Sequence, residues 1–264
     1  MVILITGITS GFGRAMAERL NADGHKVYGT YRRECQRIEG VTYIKADVTV
    51  QADVEAVVGT VLGAEGRIDV FINNAGAGYY GPLEYATEEE VRAQMEVNFM
   101  AITRFVPLVL PGMRARGSGK IICISSIGGR IGLPFQGLYS SSKFALEGYC
   151  ESLNLELRRT GVRVVLVEPG DFATNFTAVR RKQEGDAAAK AYPSMHGNLE
   201  TIEHDENSGL KPEYLAKLIS RIVRKDRPRF RYVISNFFQK LALSCKGIVP
   251  DRLYNSLFAI YYKL

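Results

Sequence analysis

"VILITGITSGFGRAM", residues 2–16, is the stretch on which the fold turns. Val2 to Ile5 form a short, fully apolar run, the pattern of a strand buried on both faces. Gly7, Gly11 and Gly13 follow, and "RAMAERL" then takes up a helical period. A strand that enters a helix through three glycines opens a βα unit. Glycines there let the backbone approach an anion, and the N–H groups at the helix start lend it partial positive charge. The spacing is G-x-x-x-G-x-G, and no Lys-Ser/Thr pair closes it as a triphosphate P-loop requires. A dinucleotide is therefore expected over Gly7, Thr9, Ser10, Gly11, Phe12 and Gly13, against the plainer reading of a tight turn.

Outward from this turn the same rhythm continues. "KVYGTYR", "VTYIKADV", "IDVFINNAG", "GKIICISSIGG", "GVRVVLVEPG" and "RFRYVIS" read as strands. Residues 51–64, 87–116, 139–160 and 212–225 read as helices between them. Alternation of this kind implies right-handed βαβ units and an α/β fold. The expectation is a Rossmann-type, doubly wound parallel sheet of about seven strands, helices on both faces, in one domain over residues 1–264. Residues 172–209 break the rhythm with a polar, acid-leaning, unpatterned segment, and a loop that long in a compact domain is usually functional, so a substrate lid is expected there.

Composition narrows the classes. Hydrophobic residues make up 46% and charged residues 23%, ordinary globular usage. The longest apolar runs fall short of a bilayer span, and Met1 leads into one with no basic leader or cleavage site, so a cytoplasmic protein is expected. Cys35, Cys123, Cys150 and Cys245 lack paired spacing and read as reduced thiols; His25, His196 and His204 have no ligand spacing, and no metal is expected. The net charge of +6 sits in the tail, since residues 210–264 carry 12 Lys and Arg against 3 acids. That basicity suits an anionic membrane surface, nucleic acid, or solubility alone.

"LYSSSKFALEG", residues 138–148, places Tyr139 one helical turn before Lys143. Positions i and i+4 share a helix face, and a cation beside a phenol makes its proton easier to remove, so the pair is a candidate acid and base. The second strand ends in Tyr31, Arg32 and Arg33 with no acid from Thr30 to Arg33. An acid there would bind the ribose hydroxyl of NAD, whereas arginines suit the 2′-phosphate of NADP. NADP(H) is expected, with NAD(H) open. Asp47, at the end of the third strand, would accept from the adenine amino group or serve as a helix cap, with Val48 beside it.

With "TGITSGFG", "NNAG" at 73–76, Asn98, "SS" at 125–126, "YSSSK" at 139–143 and "PGDFAT" at 169–174 in this order, the chain resembles the short-chain dehydrogenase/reductase family from Thr6 to about Thr174. The pattern is most similar to its hydroxysteroid and retinol dehydrogenase branch. The resemblance implies Tyr139 as proton donor to a carbonyl or base toward an alcohol. It implies Lys143 as the residue that lowers the phenol's pKa and bonds the nicotinamide ribose, and Ser126 as the one that orients the substrate oxygen. Asn98 is implied in a water-linked proton path, Asn73, Asn74, Ala75 and Gly76 along the cofactor, and Pro169, Gly170 and Thr174 at its carboxamide.

An NADP(H)-dependent oxidoreductase interconverting a carbonyl and an alcohol is thus expected, and the rival is a catalytically idle dinucleotide sensor or partner-binding protein on the same fold. Leu133, Pro134, Phe135, Phe172, Phe176 and Tyr192 suggest a small hydrophobic substrate of steroid, retinoid or long-chain keto or aldehyde type. The basic, aromatic extension at 235–264 would lie on a membrane, cover the pocket or pack between subunits. A homo-oligomer, dimer or tetramer, is implied by the two long helices; nucleic acid is not an expected partner.

Overall fold

The computed structural model of the protein describes residues 1–183 and 186–264. The chain begins with β1 (Val2–Ile5), α1 (Gly11–Ala22), β2 (Lys26–Tyr31), β3 (Val41–Lys45), α2 (Gln51–Glu65) and β4 (Val70–Asn73). A two-residue strand β5 (Tyr79–Tyr80) and helices α3 (Glu88–Met95) and α4 (Ala101–Ala115) follow, then β6 (Gly119–Ile124), α5 (Gly137–Glu156) and β7 (Val162–Pro169). Next come α6 (Phe176–Val179), β8 (Arg181–Lys182), α7 (Asp186–Ala191), α8 (Met195–Asn207) and α9 (Pro212–Arg224). The chain ends with β9 (Arg231–Ile234), α10 (Phe237–Cys245) and α11 (Asp251–Tyr261).

Seven strands form one sheet in the order β3-β2-β1-β4-β6-β7-β9, every neighbouring pair parallel. Side chains on a strand alternate between faces, so the apolar run of β1 serves two cores. Val2 and Leu4, with Tyr28 and Phe71, pack beneath α2, α4 and α5. Ile3 and Ile5, with Val27 and Val70, pack beneath α1 and α9. The order reverses direction beside β1, where β2 lies on one side and β4 on the other, and ligands of open α/β sheets bind outside the strand ends at such a point.

The single helix expected over 87–116 is two helices joined by a π-helical turn, Glu96–Met100, which contains Asn98. Such turns inside helices frequently mark functional sites. Pro107 and Pro111 lie within α4 on its exposed side, where the carbonyls they leave unbonded reach water.

Residues 172–209 are largely helical rather than unpatterned; Glu184 and Gly185 of this stretch lie outside the described residues. The reason α8 shows no apolar stripe is that polar contacts dock it. The Tyr80 hydroxyl donates to the Met195 carbonyl (2.6 Å) and to Asn198 Oδ1 (3.0 Å), and Asn198 Nδ2 donates to the Tyr262 carbonyl (2.9 Å). A second, two-stranded sheet pairs β5 with β8 and ties the start of this segment to the loop after β4. Helices α10 and α11 fold back over Ile127 and Ile131 through Leu243, Tyr254 and Phe258, so the tail covers the segment that follows β6.

Candidate active site

Three segments meet at the carboxyl end of β1. Gly7 has φ +71°, a conformation that disfavours any side chain, and a Cβ on Gly13 would fall 1.9 Å from the Gly7 carbonyl oxygen. The Thr6 hydroxyl accepts from the backbone N–H of both Asn74 and Ala75, each at 2.9 Å. Asn74 Nδ2 donates to the carbonyls of Thr6 (2.9 Å) and Gly7 (3.0 Å), so the amide expected against the cofactor instead braces the glycine turn. Ser10 makes no side-chain capping bond and the first turn of α1 holds no acid, which leaves the helix N–H groups for an outside anion. These residues fit a dinucleotide pyrophosphate. Thr9 is half-buried and Ser10 exposed at the rim, while the Phe12 ring packs edge-on against Phe172 at 4.9 Å, so Phe12 offers the turn its backbone only. Phe172 is core and lines no substrate pocket.

At the end of β2, Arg32 and Arg33 are exposed, and Arg37 lies 5.6 Å from the Tyr31 ring centroid. Arg32 Nη1 is 3.4 Å from Asp47 Oδ2. Asp47 Oδ1 accepts from the Thr49 N–H (3.0 Å) and hydroxyl (2.7 Å). Burial pushes this carboxyl up, but the bonds from Thr49 and Arg32 outweigh it and hold the group below its usual range. Asp47 is thus a turn cap and a counter-ion for Arg32, beside a buried Val48.

On the other side of the switch point, Ser126 ends the run from β6 and accepts from the Gly128 N–H at 3.0 Å. Its hydroxyl and the Tyr139 ring both approach Gly128, lying 3.4 and 3.3 Å from where a Cβ would stand there, and Ser126 lowers the phenol's hold on its proton. Lys143, buried one turn along α5, donates to the Ile124 carbonyl at 2.9 Å, and its Nζ lies 5.8 Å from the Tyr139 ring centroid. The structure therefore brings Ser126, Tyr139 and Lys143 together. Asn98 stands behind them: its Nδ2 donates to Ser142 Oγ (2.9 Å) and the Ala77 carbonyl (3.0 Å), and its Oδ1 accepts from the Ala77 N–H (2.8 Å). That amide fastens α5 to the loop after β4, and a Cβ on Gly76 would lie 3.2 Å from its oxygen. Pro169 and Gly170 end β7, Gly170 N–H donates to the Ile234 carbonyl (3.0 Å), and Thr174 reaches to 3.6 Å from the Cβ position of Gly11.

One expectation is corrected. The i, i+4 spacing suggests a phenol acidified by the lysine, yet burial pushes Tyr139 up to about 12, and the neighbouring Ser126 hydroxyl recovers only part of that. Burial also pushes Lys143 down to about 8. Lys143 Nζ donates to the Ile124 carbonyl, and desolvation is the largest influence on each group.

Phe176, Phe135 and Tyr192 are legible in the sequence as apolar residues of this region, whereas the charged groups beside them leave no mark there. Phe176, in the segment after β7, lies on Tyr139, ring centroids 5.6 Å apart, and the Arg180 guanidinium lies 5.8 Å from the centre of the Phe176 ring. Arg180 pairs with Glu206, whose second oxygen accepts from the Thr177 hydroxyl at 2.6 Å. In the sequence these charges look like a solvated loop. Behind Lys143, Arg231 Nη1 bonds Glu147 (2.8 Å) and Glu168 (2.6 Å), and Nη2 bonds Glu151 (2.7 Å). Phe135, Tyr192 and Tyr80 form an aromatic cluster near the site, with ring centroids 5.8 Å apart. Among the described residues no three His, Cys, Asp or Glu side chains gather as metal ligands.

Comparison with known proteins gives a consistent result. A family model described as short chain dehydrogenase matches residues 1–185. The chain is 43% identical, over all of its length and 98% of the relative, to a 3-ketodihydrosphingosine reductase of Bacteroides thetaiotaomicron. It is 36% identical to 17-beta-hydroxysteroid dehydrogenase type 1 of Mus musculus, covering 91% of this chain and 75% of that one. Among solved structures, a short-chain dehydrogenase from Streptomyces avermitilis superposes with a TM-score of 0.81 at 31% identity, covering 97% of this chain and 94% of that one.

Two outcomes follow from the site. Tyr139→Phe should bind a nicotinamide dinucleotide as the parent does yet lose on the order of a hundredfold or more in turnover, the usual worth of a general acid; turnover within threefold of the parent would remove the role. For Lys143, the unfolded chain keeps its proton up to the ordinary lysine value of 10.5 whereas the fold releases it near 8, so between these values the unfolded state binds more protons and stability rises with pH. Urea unfolding of Lys143→Met should lack that rise, and an identical pH profile in the two proteins contradicts the assignment.

Proposed function

The chain belongs to the short chain dehydrogenase family, and from that premise we propose that it reduces the 3-keto group of a long-chain amino lipid to the secondary alcohol with NADPH. That it is an oxidoreductase acting on CH–OH groups through NAD(P)(H) follows from the family, which removes the idle-sensor alternative. The carrying observation is the convergence of Ser126, Tyr139 and Lys143 beneath an apolar lid. The similarity to 3-ketodihydrosphingosine reductase supports the long-chain ketone, with steroid-type substrates as the more distant likeness.

A carbonyl oxygen placed between Ser126 and Tyr139 would meet two hydroxyl donors already aimed at the charge that develops on it. The phenol carries its proton at ordinary pH and burial strengthens its hold on it, so Tyr139 is loaded as a proton donor for reduction. Lys143 holds a positive charge behind the phenol and steadies the phenolate left when the proton moves. Phe176, packed on Tyr139, keeps water from the transfer. When bound, the reduced nicotinamide supplies the hydride. Arg32 and Arg33, with Arg37 nearby and no acid at the end of β2, support NADPH over NADH.

The test is a coenzyme and substrate panel. NADPH should be oxidised fastest with long-chain 3-ketones, and Arg32→Ala/Arg33→Ala should weaken NADPH at least about tenfold, the scale of a charge-assisted bond, while NADH changes little. Failure to oxidise NADPH with any long-chain 3-ketone would overturn the substrate class, and equal loss for both coenzymes would overturn the preference.

We also propose that the tail docks on anionic lipid on the cytoplasmic side. Among the described residues, nine of the nineteen exposed large hydrophobic side chains lie between Phe237 and Leu264, including Phe238, Ile248 and Ile260. Lys240, Lys246, Arg252 and Lys263 accompany them against the single acid Asp251. Among the described residues no helix is long and apolar enough to cross a membrane, so contact would be peripheral. Full-length protein should float with phosphatidylserine vesicles, and Phe238→Glu/Ile260→Glu should stay in the dense fraction; equal flotation of both removes the idea.

A further inference from the structure

Resting on that functional reading, we propose that Arg180 receives the polar head of the substrate by donating to an uncharged oxygen on it, and that the carboxylates around Arg180 turn away anionic heads.

Arg180 is held rigidly. The N–H of the next residue, Arg181, donates to the Gly78 carbonyl (3.0 Å) as β8 pairs with β5. The stem of Arg180 and the Phe176 ring both lie on Gly78, where a Cβ would fall 2.8 Å from Phe176 Cζ and 3.4 Å from Arg180 Cγ. Its side chain is fully buried, at 0% exposure. Nη2 bonds Glu206, but Nε and Nη1 have no partner among the described residues.

Burying charged donors without acceptors is costly, and a clamp between lid elements would be served as well by apolar side chains of similar volume. The two free donors gain a purpose if an acceptor arrives with the substrate. They are also in the right place, because Arg180 lies 5.8 Å from the centre of the Phe176 ring that itself packs on Tyr139, and the charges of Arg180 and Glu206 both act on the phenol. A head a few carbons from the reacting ketone spans that distance.

The surrounding charge selects the kind of head. Glu206 already neutralises Arg180. Burial, with Asp205 and Glu206 adding to it, pushes the nearby Asp171 carboxyl up to about 7, and Asp205 accepts from the Tyr261 hydroxyl at 2.7 Å. Glu206 on the guanidinium, with the Asp171 and Asp205 carboxyl groups near one another beside it, disfavours a sulfonate or phosphate, serves a hydroxyl, and tolerates a neighbouring ammonium.

The decisive experiment uses the full chain with NADPH and three ketones of the same long chain: a plain 3-ketone, one with a terminal hydroxyl on the short side, and one with a sulfonate there. The parent should prefer the hydroxylated ketone over the plain one by about tenfold in kcat/KM, one good hydrogen bond, and place the sulfonate last. In Arg180→Met, and in Arg180→Lys should the first not fold, that preference ratio should fall to about one, and Glu206→Gln should raise the sulfonate relative to the plain ketone. A ratio that survives both Arg180 variants, with all ketones slowed alike, shows a lid clamp and overturns the proposal, as does a parent that favours the sulfonate. If the parent reduces none of the three, the substrate class fails separately. Thermal shifts with NADP+ and the long-chain 1,3-diol then decide Arg180: a larger shift in the parent supports it, and equal shifts in parent and variants overturn it.

Discussion

The close contact between Gly13 and the Gly7 carbonyl is the constraint on which the rest is built. A single added carbon at Gly13 would lie 1.9 Å from that oxygen, so helix α1 can start this near β1 only without a side chain there. The Thr6 hydroxyl and the Asn74 amide then tie the same turn to the end of β4, across the point where the strand order reverses. A floor for an anion is thereby fixed by backbone, before any charged side chain is involved.

From that floor the reaction centre is reached by packing. Asn98, set in a π-helical turn, spends its amide on Ala77 and Ser142, and so places α5 against the loop that follows β4. Tyr139 and Lys143 are carried on α5, and Ser126 on the end of β6. The price of this enclosure is electrostatic: both ionisable groups are pushed toward their neutral forms. A neutral, proton-bearing phenol is what a carbonyl reduction consumes. Behind it, Arg231 neutralises Glu147 and Glu168, which would otherwise place unpaired negative charge near the lysine.

The lid and tail add what the sheet lacks. Residues after β7 fold back through the β5–β8 pair, the Tyr80 bonds to α8 and the Arg180–Glu206 pair, and α10 and α11 pack over the segment after Ser126. These elements are fixed largely by polar contacts, and apolar side chains of the tail face outward.

The seven strands, the helices over 51–64, 139–160 and 212–225, the glycine turn and the order of Ser126, Tyr139 and Lys143 were legible along the chain, because each rests on local pattern: alternation, helical period and spacing. The break of 87–116 at Asn98 was not, since a π turn keeps helical composition. Nor was α8, which is docked by tyrosine and asparagine bonds rather than by an apolar stripe. The sequence by itself determined the parallel sheet and where its glycine turn and the positions Ser126, Tyr139 and Lys143 lie. Only the tertiary structure decided that burial raises the phenol and lowers the lysine, that Asn74 and Asn98 are braces, and that Arg180 is buried beside Phe176, because burial and its electrostatic cost depend on residues far apart in the chain.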